Sequence, residues 1–131
     1  DLGLAAALRQ LIEDAGAAQD VTFDVKLGAR PPTLVETAMF RIVQEGLNNA
    51  RAHAGAGAHV TIRVSETEGH YRVEIRDNGA GFDQRSRLAS TTGRGLGLSY
   101  MRERINRLGG TLVISSAPGQ GCRIIAEIPA R

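Results

Sequence analysis

The stretch Asp77–Phe82, which reads DNGAGF, decides the fold assignment, because it follows a strand and ends it with polar and glycine residues. Residues 71–75 alternate apolar and polar side chains, the pattern of a half-buried strand. A carboxylate at the end of such a strand can accept a hydrogen bond from an exocyclic amine. Gly79 and Gly81 allow the backbone to approach a flat ring closely. The same residues form a common turn sequence, so a plain turn is the alternative interpretation.

A long helix precedes this stretch and carries polar residues beside its apolar stripe. Glu45 and Asn49 lie four residues apart and share one face, and Arg41 and His53 extend the same row. Asparagine is a poor helix former, so its presence in mid-helix indicates a further role. The Asn49 side-chain oxygen is a hard ligand suited to Mg²⁺, and Glu45 can orient a water molecule or accept a proton. The alternative is a polar helix face on which Glu45 pairs with Arg41.

A third motif, Gly93–Leu98, reads GRGLGL and enters the last predicted helix. Glycine-rich backbone at a helix N-terminus offers unpaired N–H groups and the positive end of the helix dipole, which together favour phosphate. The motif lacks the lysine of a P-loop, and it follows a loop rather than a strand, unlike the dinucleotide-binding motif. The alternative is a flexible hinge followed by a helix start.

The loop between Gly81 and Gly93 contains few apolar anchors and ends in small polar residues. Such a segment buries too little surface to offset its ordering entropy. We therefore expect it to be mobile without a ligand and to become ordered when phosphates engage its C-terminal end. The alternative is a loop held permanently on the domain by Phe82 and Leu88.

Composition bounds the remaining possibilities. The chain has 131 residues, 42% hydrophobic and 23% charged, which suits one compact domain. Its net charge of +2, its aromatic content of 4% and its lack of tryptophan argue against a nucleic-acid surface. Three neighbouring arginines, Arg102, Arg104 and Arg107, are more typical of a solvated helix face. A single cysteine excludes an internal disulfide, and no apolar run is long enough to span a membrane.

Hydrophobic periodicity predicts three helices and about five strands, which favours an α/β sandwich. The predicted elements are a helix capped by Asp1, a strand over Val21–Leu27, a helix capped by Thr33 with Glu36 completing a capping box and fading after His53, strands around Val60–Val64 and Tyr71–Ile75, a loop over Asn78–Gly95, a helix over Leu98–Leu108, and a hairpin of Leu112–Ser116 with Arg123–Ile128.

In this order the three motifs resemble those of the GHKL ATPases, which share the Bergerat ATP-binding fold. The helix resembles their N box, residues 77–81 the G1 box, residues 93–98 the G2 box, and residues 78–92 the lid over the nucleotide. The resemblance implies a two-layer α/β (α+β) sandwich with a mixed sheet of about five strands, covered on one face by three helices. It implies ATP and Mg²⁺ as cofactors, Asn49 as the metal ligand, Asp77 as the adenine-reading residue and Glu45 as the catalytic residue. The ATP-binding residues would be Asn49, His53, Asp77, Gly79, Gly81, Phe82, Gly93, Arg94, Gly95, Leu96, Gly97, Leu98 and Cys122.

Within that superfamily, the chain resembles histidine kinases related to the nitrate and lipid-fluidity sensors at residues 40–50, 97–104, 108–112, 116–121 and 128–129. The resemblance covers essentially the whole chain, which we treat as one domain, residues 1–131. Two positions depart from the family pattern. The family usually has lysine where this chain has Ala52, so the phosphate contact there lacks its usual residue. It usually has threonine where this chain has Cys122, and a thiol is a weak donor and acceptor.

The resemblance implies a domain that binds Mg-ATP and passes the γ-phosphate to a histidine on a separate dimerisation domain. The further partner would be the cognate response regulator, with no nucleic acid and no direct insertion into a membrane. The resemblance implies a cytoplasmic domain and leaves open whether the parent is membrane-anchored. An anti-sigma-factor-type serine kinase or switch protein is the alternative within the superfamily. A non-enzymatic α/β module that binds no nucleotide is a third reading.

None of the three histidines has the setting of a phosphoacceptor. His53 belongs to the row that includes Asn49, His59 begins a strand, and His70 lies at a hairpin turn. In this family the acceptor lies in a helix and is followed by an acidic residue. We therefore expect the acceptor to lie before Asp1 in a longer parent chain, and we expect negligible autokinase activity from residues 1–131 alone.

Overall fold

The computed structural model describes residues 3–14, 20–53, 57–81 and 93–130, and for residues 52–53 and 93–98 it describes the backbone alone. Within these ranges the helices are α1 (Gly3–Asp14), α2 (Thr33–His53) and α3 (Gly93–Arg107), and the strands are β1 (Val21–Lys26), β2 (Val60–Thr67), β3 (His70–Asp77), β4 (Thr111–Ser116) and β5 (Cys122–Pro129). The order of elements is the predicted one. In the described part of the chain, no helix combines the length and apolar character that crossing a membrane requires.

The strands form one sheet in the order β1-β2-β3-β5-β4. β1 and β2 are parallel, whereas the other neighbouring pairs are antiparallel, which confirms the predicted mixed sheet. Parallel neighbours need a crossover connection, and α2 provides it between β1 and β2. Because α2 returns the chain from the end of β1 to the start of β2, it runs opposite to both strands. It therefore runs in the same direction as β3, and the C-terminal ends of α2 and β3 lie at the same end of the molecule.

The core lies between the helices and one face of the sheet. Alternate residues of β2, β3 and β5 are buried, and they meet the apolar stripe of α2 and three residues of α1. Each fully buried aliphatic side chain contributes roughly 1.5–3 kcal/mol to stability. Among the described residues the buried hydrophobic side chains are aliphatic apart from Met39, Tyr71 and Cys122. The core is thus mainly aliphatic, in keeping with an aromatic content of 4% and no tryptophan in the sequence.

Helix α2 approaches β3 closely at Gly46. A Cβ atom at this position would lie 2.5 Å from Cδ1 of Ile75, well inside van der Waals contact. Glycine therefore sets the distance between the helix and the strand one turn before Asn49. This contact fixes the part of α2 that carries the predicted polar row relative to the strand that ends at Asp77.

Two predicted helix starts are wrong in detail. The carbonyl of Pro32 accepts the first helical hydrogen bond, from Glu36 N at 2.9 Å, so Pro32 rather than Thr33 caps α2. The Glu36 carboxylate binds Arg30 at 3.0 Å in place of the predicted capping box. The low helix propensity of glycine predicted a loop through Gly95, yet α3 begins at Gly93. The rest of the predicted lid, residues 82–92, lies outside the described residues.

Candidate functional site

Asp77 and Asn49 are the two polar side chains that are buried among the described residues, at 8% and 6% exposure. Asp77 takes the inward position that follows Ile75 on β3, where the alternation would otherwise place an apolar residue. Burial of a polar group is costly unless it is compensated by hydrogen bonds or a ligand. Two such groups at the same end of the fold therefore mark this end as the candidate site.

The Asp77 carboxylate is held by the turn that follows β3. Its Oδ1 atom accepts a hydrogen bond from the backbone N–H of Gly79 at 2.9 Å, which forms an Asx-turn. Its Oδ2 atom makes no hydrogen bond within the described part of the chain. The plain-turn alternative is thus correct for Oδ1, while Oδ2 retains the capacity to accept a hydrogen bond from a ligand.

Cys122 on β5 is the register partner of Asp77 on β3, and Ser116 on β4 is the register partner of Cys122 on its other side. The pKa of the Cys122 thiol is raised from 9.0 to about 11, first by burial and second by the nearby Asp77 carboxylate, while a hydrogen bond with Ser116 opposes the shift. The thiol is therefore protonated at neutral pH. Next to the carboxylate, this position is neutral and weakly polar.

The turn between β4 and β5 forms a wall behind the Asp77 turn. Gly119 N donates to the carbonyl of Ala80 at 2.6 Å. A Cβ atom on Gly81 would lie 2.1 Å from the carbonyl oxygen of Ala117, and one on Gly121 would lie 2.2 Å from that of Asp77. Within the described residues, the close approach that Gly81 permits is to this turn. The approach of a flat ring to Gly81 stays a prediction. Gly121 was not predicted as a site residue from the sequence. The feature that could have indicated it is the pair of glycines on either side of Gln120.

A cleft of about 410 Å³ opens at this end of the sheet. It is lined by Arg76, Asp77, Ser115, Ser116, Ala117, Gln120, Cys122 and Arg123. A larger groove of about 710 Å³ lies between α1 and α2 and contains none of the predicted site residues. The smaller cleft belongs to the candidate site because it contains Asp77 and Cys122, but among the described residues its lining includes none of α2 or α3, so Asn49 and Glu45 lie outside it.

The polar row of α2 does not contain the ion pair between Arg41 and Glu45 that the alternative interpretation requires. Arg41 donates to Gln44 at 2.9 Å, and the pair between Arg41 and Glu45 is not formed. Within the described residues, the half-buried Glu45 makes no hydrogen bond or ion pair, and neither does the side chain of Asn49. A buried amide with no partner among these residues is well suited to bind a ligand.

Several predicted site residues lie beyond what the structure describes. Phe82 belongs to the undescribed residues 82–92, and nothing is described of the side chain of His53 or of Ala52. The segment Gly93–Leu98 is described by its backbone, which forms the first turns of α3. The N–H groups of the first turn of any α-helix have no partner within the helix, so this helix start has the donors that a phosphate requires.

Two polar residues beside Asp77 were not predicted to contribute. Asn78 accepts a hydrogen bond from His59 N at 2.7 Å through its side-chain Oδ1, and its own N–H donates to the His59 carbonyl at 3.2 Å. The His59 ring in turn contacts Thr22 Oγ1 at 2.6 Å. These contacts link β1, through Thr22, to the residue before β2 and the residue after β3, at the end of the sheet where Asp77 lies.

Comparison with known proteins agrees with this geometry. The model of the histidine kinase-, DNA gyrase B- and HSP90-like ATPase family matches residues 34–131. The chain belongs to this family. Its relatives include DegS of Brevibacillus brevis, a signal transduction histidine-protein kinase/phosphatase, which is 40% identical over 132 residues. UhpB of Salmonella typhimurium, described in the same words, is 35% identical over 136 residues.

Both relatives are longer proteins than this chain. The alignments cover 98% and 100% of this chain but 33% of DegS and 25% of UhpB. Among solved structures, the histidine kinase domain of the Erythrobacter litoralis blue-light activated kinase superposes with a TM-score of 0.76 at 22% identity, covering 98% of this chain and 61% of that one. The expected Bergerat-type sandwich and the kinship with sensor histidine kinase catalytic domains are both confirmed.

Proposed function

We propose that this domain binds Mg-ATP in the cleft beside Asp77 and donates the γ-phosphate to a histidine on a separate dimerisation domain. The observation that carries the proposal is the Asp77 carboxylate, buried at 8% exposure, with one oxygen fixed by Gly79 and the other without a hydrogen-bond partner among the described residues. Family membership supports a nucleotide as the ligand, and the relatives support a histidine kinase.

Base selection follows from the hydrogen-bonding character of Asp77. A carboxylate accepts hydrogen bonds and cannot donate them. Adenine presents an exocyclic amine as a donor, whereas guanine presents a carbonyl oxygen at the equivalent ring position. Oδ2 of Asp77 would accept from the adenine amine and repel the guanine oxygen. The protonated Cys122 thiol adds no second negative charge at this edge of the site.

The metal and the phosphates would be held by α2 and α3. The Asn49 amide oxygen is the type of ligand that Mg²⁺ accepts, together with phosphate oxygens and water. Bound there, Mg²⁺ would neutralise charge on the phosphates. Gly93, Gly95 and Gly97 would present backbone N–H groups to the phosphates at the start of α3, and Arg94 would add a positive charge.

In the transfer itself the bond between the γ-phosphorus and the bridging oxygen of ATP breaks, and a bond from phosphorus to a histidine nitrogen forms. ADP leaves, and the proton of the attacking imidazole passes to Glu45 or to an acidic residue next to the acceptor. Glu45 is half-buried with no partner among the described residues, so its carboxylate is available for this role. The protein contributes chiefly by positioning and by charge neutralisation.

The partner domain would carry the acceptor histidine, and a response regulator would take the phosphate from it. An anti-sigma-factor-type serine kinase remains the alternative within the family. Incubation with radiolabelled ATP and a dimerisation domain supplied in trans separates the two readings. Acid-labile, base-stable label on the dimerisation domain supports the proposal, because phosphohistidine hydrolyses in acid. Acid-stable label would indicate phosphoserine, and no label together with no nucleotide binding would indicate a non-enzymatic module.

A further inference from the structure

At the end of the sheet, the side chain of Asn78 accepts the hydrogen bond that its own backbone carbonyl would accept in a regular ladder. Val60 and Asp77 are the last register pair between β2 and β3, so His59 and Asn78 would form the next pair of the antiparallel ladder. Asn78 N donates to the His59 carbonyl, as a ladder residue would. The reciprocal bond, from His59 N, goes to Asn78 Oδ1 at 2.7 Å instead of to the Asn78 carbonyl.

Because Oδ1 takes the place of the carbonyl as the acceptor, the chain can leave the sheet at Asn78 while the N–H group of His59 keeps a hydrogen bond. The released backbone continues into the Asx-turn, in which Gly79 N donates to Oδ1 of Asp77 at 2.9 Å. Asn78 is the central residue of that turn, so the orientation of its backbone determines the direction of the Asp77 carboxylate. On the opposite side, Gly121 packs against the Asp77 carbonyl and blocks movement there.

We propose that Asn78 is a positioning residue for base recognition, which holds the Asp77 carboxylate in its reading orientation by ending the β2–β3 ladder through its side chain. The inference rests on the proposed function, because Asp77 must read an adenine. Without the Oδ1 acceptor, His59 N recruits the backbone carbonyl at position 78. The ladder then extends by one pair, and Gly79 is drawn away from Asp77.

The experiment measures the ratio of the dissociation constants for GDP and ADP, by calorimetry on the chain of residues 1–131. The ratio cancels effects that act on both nucleotides alike, such as added charge or a small loss of stability. For Asn78→Ala we expect the ratio to fall about three- to tenfold, the equivalent of one hydrogen bond. Asn78→Asp keeps an acceptor oxygen and should retain the ratio of the wild type. Because residue 78 is exposed, neither change leaves a cavity.

Two variants serve as controls. His59→Ala removes the ring contact with Thr22 but leaves the backbone N–H that binds Asn78, so the ratio should not change. Ile128→Val trims a buried residue that pairs with Tyr71 at the far end of β3, and it reports what a general loss of stability does to the ratio. As a readout without nucleotide, the amide of His59 should exchange with solvent faster in Asn78→Ala than in Asn78→Asp.

An unchanged ratio in Asn78→Ala, or a fall of the same size in Asn78→Asp, would overturn the role of Asn78 while leaving the adenine site intact. A wild-type protein that binds ADP and GDP equally would overturn base recognition by Asp77 and this inference with it. The two failures are therefore distinguishable by the wild-type measurement alone.

Discussion

Replacing Asp77 by asparagine tests base recognition with little change in shape. The asparagine Oδ1 can still accept the hydrogen bond that Gly79 N donates at 2.9 Å, so the turn is retained. The atom at the position of Oδ2 becomes an NH₂ group, which is a donor facing the adenine amine. The change also removes a buried negative charge, so we expect no large loss in the free energy of unfolding.

The magnitude of the effect follows from the bond that is lost. A hydrogen bond to a charged group contributes about 1.5–3 kcal/mol, which corresponds to roughly a 10- to 150-fold rise in the dissociation constant of ATP. GTP, whose oxygen can accept from the new NH₂ group, should lose less affinity or gain some. The base preference of the variant should therefore be weaker than that of the wild type, or reversed.

The assay is calorimetric titration of both proteins with ATP and GTP in the presence of Mg²⁺, with circular dichroism to verify the fold. Asp24→Asn is a matched control, because it removes one carboxylate from the exposed face of β1. It should leave both dissociation constants unchanged. Wild-type ATP affinity in a folded Asp77→Asn protein would refute the reasoning, since the carboxylate would then have no part in base recognition.

Other predictions concern the metal, the thiol and the helix contact. Asn49→Ala should abolish phosphotransfer to a supplied dimerisation domain while weakening metal-free ADP binding less than tenfold; full kinase activity in this variant would remove Asn49 from the metal site. Because the pKa of Cys122 is raised from 9.0 to about 11, the wild type should lose about 1–3 kcal/mol of unfolding free energy, relative to Cys122→Ala, as pH rises through that window, which urea unfolding at several pH values measures. Gly46→Ala would place a Cβ 2.5 Å from Ile75 Cδ1 and should cost roughly 1–3 kcal/mol by thermal or urea unfolding, and a stability equal to that of the wild type would show that Ile75 moves freely.

Much of the fold could be predicted because the periodicity of the sequence is regular. The alternation in β2 and β3 and the apolar stripe of α2 come from side chains that all pack on one core. Asp77 was predicted as a site residue because a carboxylate stands at the end of a strand, in front of two glycines. Nucleotide recognition at Asp77 stays a prediction, but its burial and its place in the cleft are structural facts.

The remaining features depend on contacts between residues far apart in sequence. Nothing local to Asn78 indicates that its side chain binds the backbone before β2, and nothing local to Gly121 indicates that it packs against Asp77. The cap of α2 was wrong because a Thr-x-x-Glu pattern allows two starts, and the ion pair between Arg30 and Glu36 removes the glutamate from the capping box. The start of α3 was predicted too late in the chain, because the low helix propensity of glycine is a weak guide where tertiary contacts determine the backbone conformation.

Mapping of backbone amide chemical shifts during titration with Mg-ATP tests the central claim most directly. The account predicts that the largest shifts fall on residues 77–81 and 116–122, on Asn49, and on the first turn of α3. It also predicts that GTP at the same concentration produces smaller shifts at 77–81. The absence of saturable shifts, or shifts confined to the groove between α1 and α2, would contradict the claim that this domain holds ATP against Asp77.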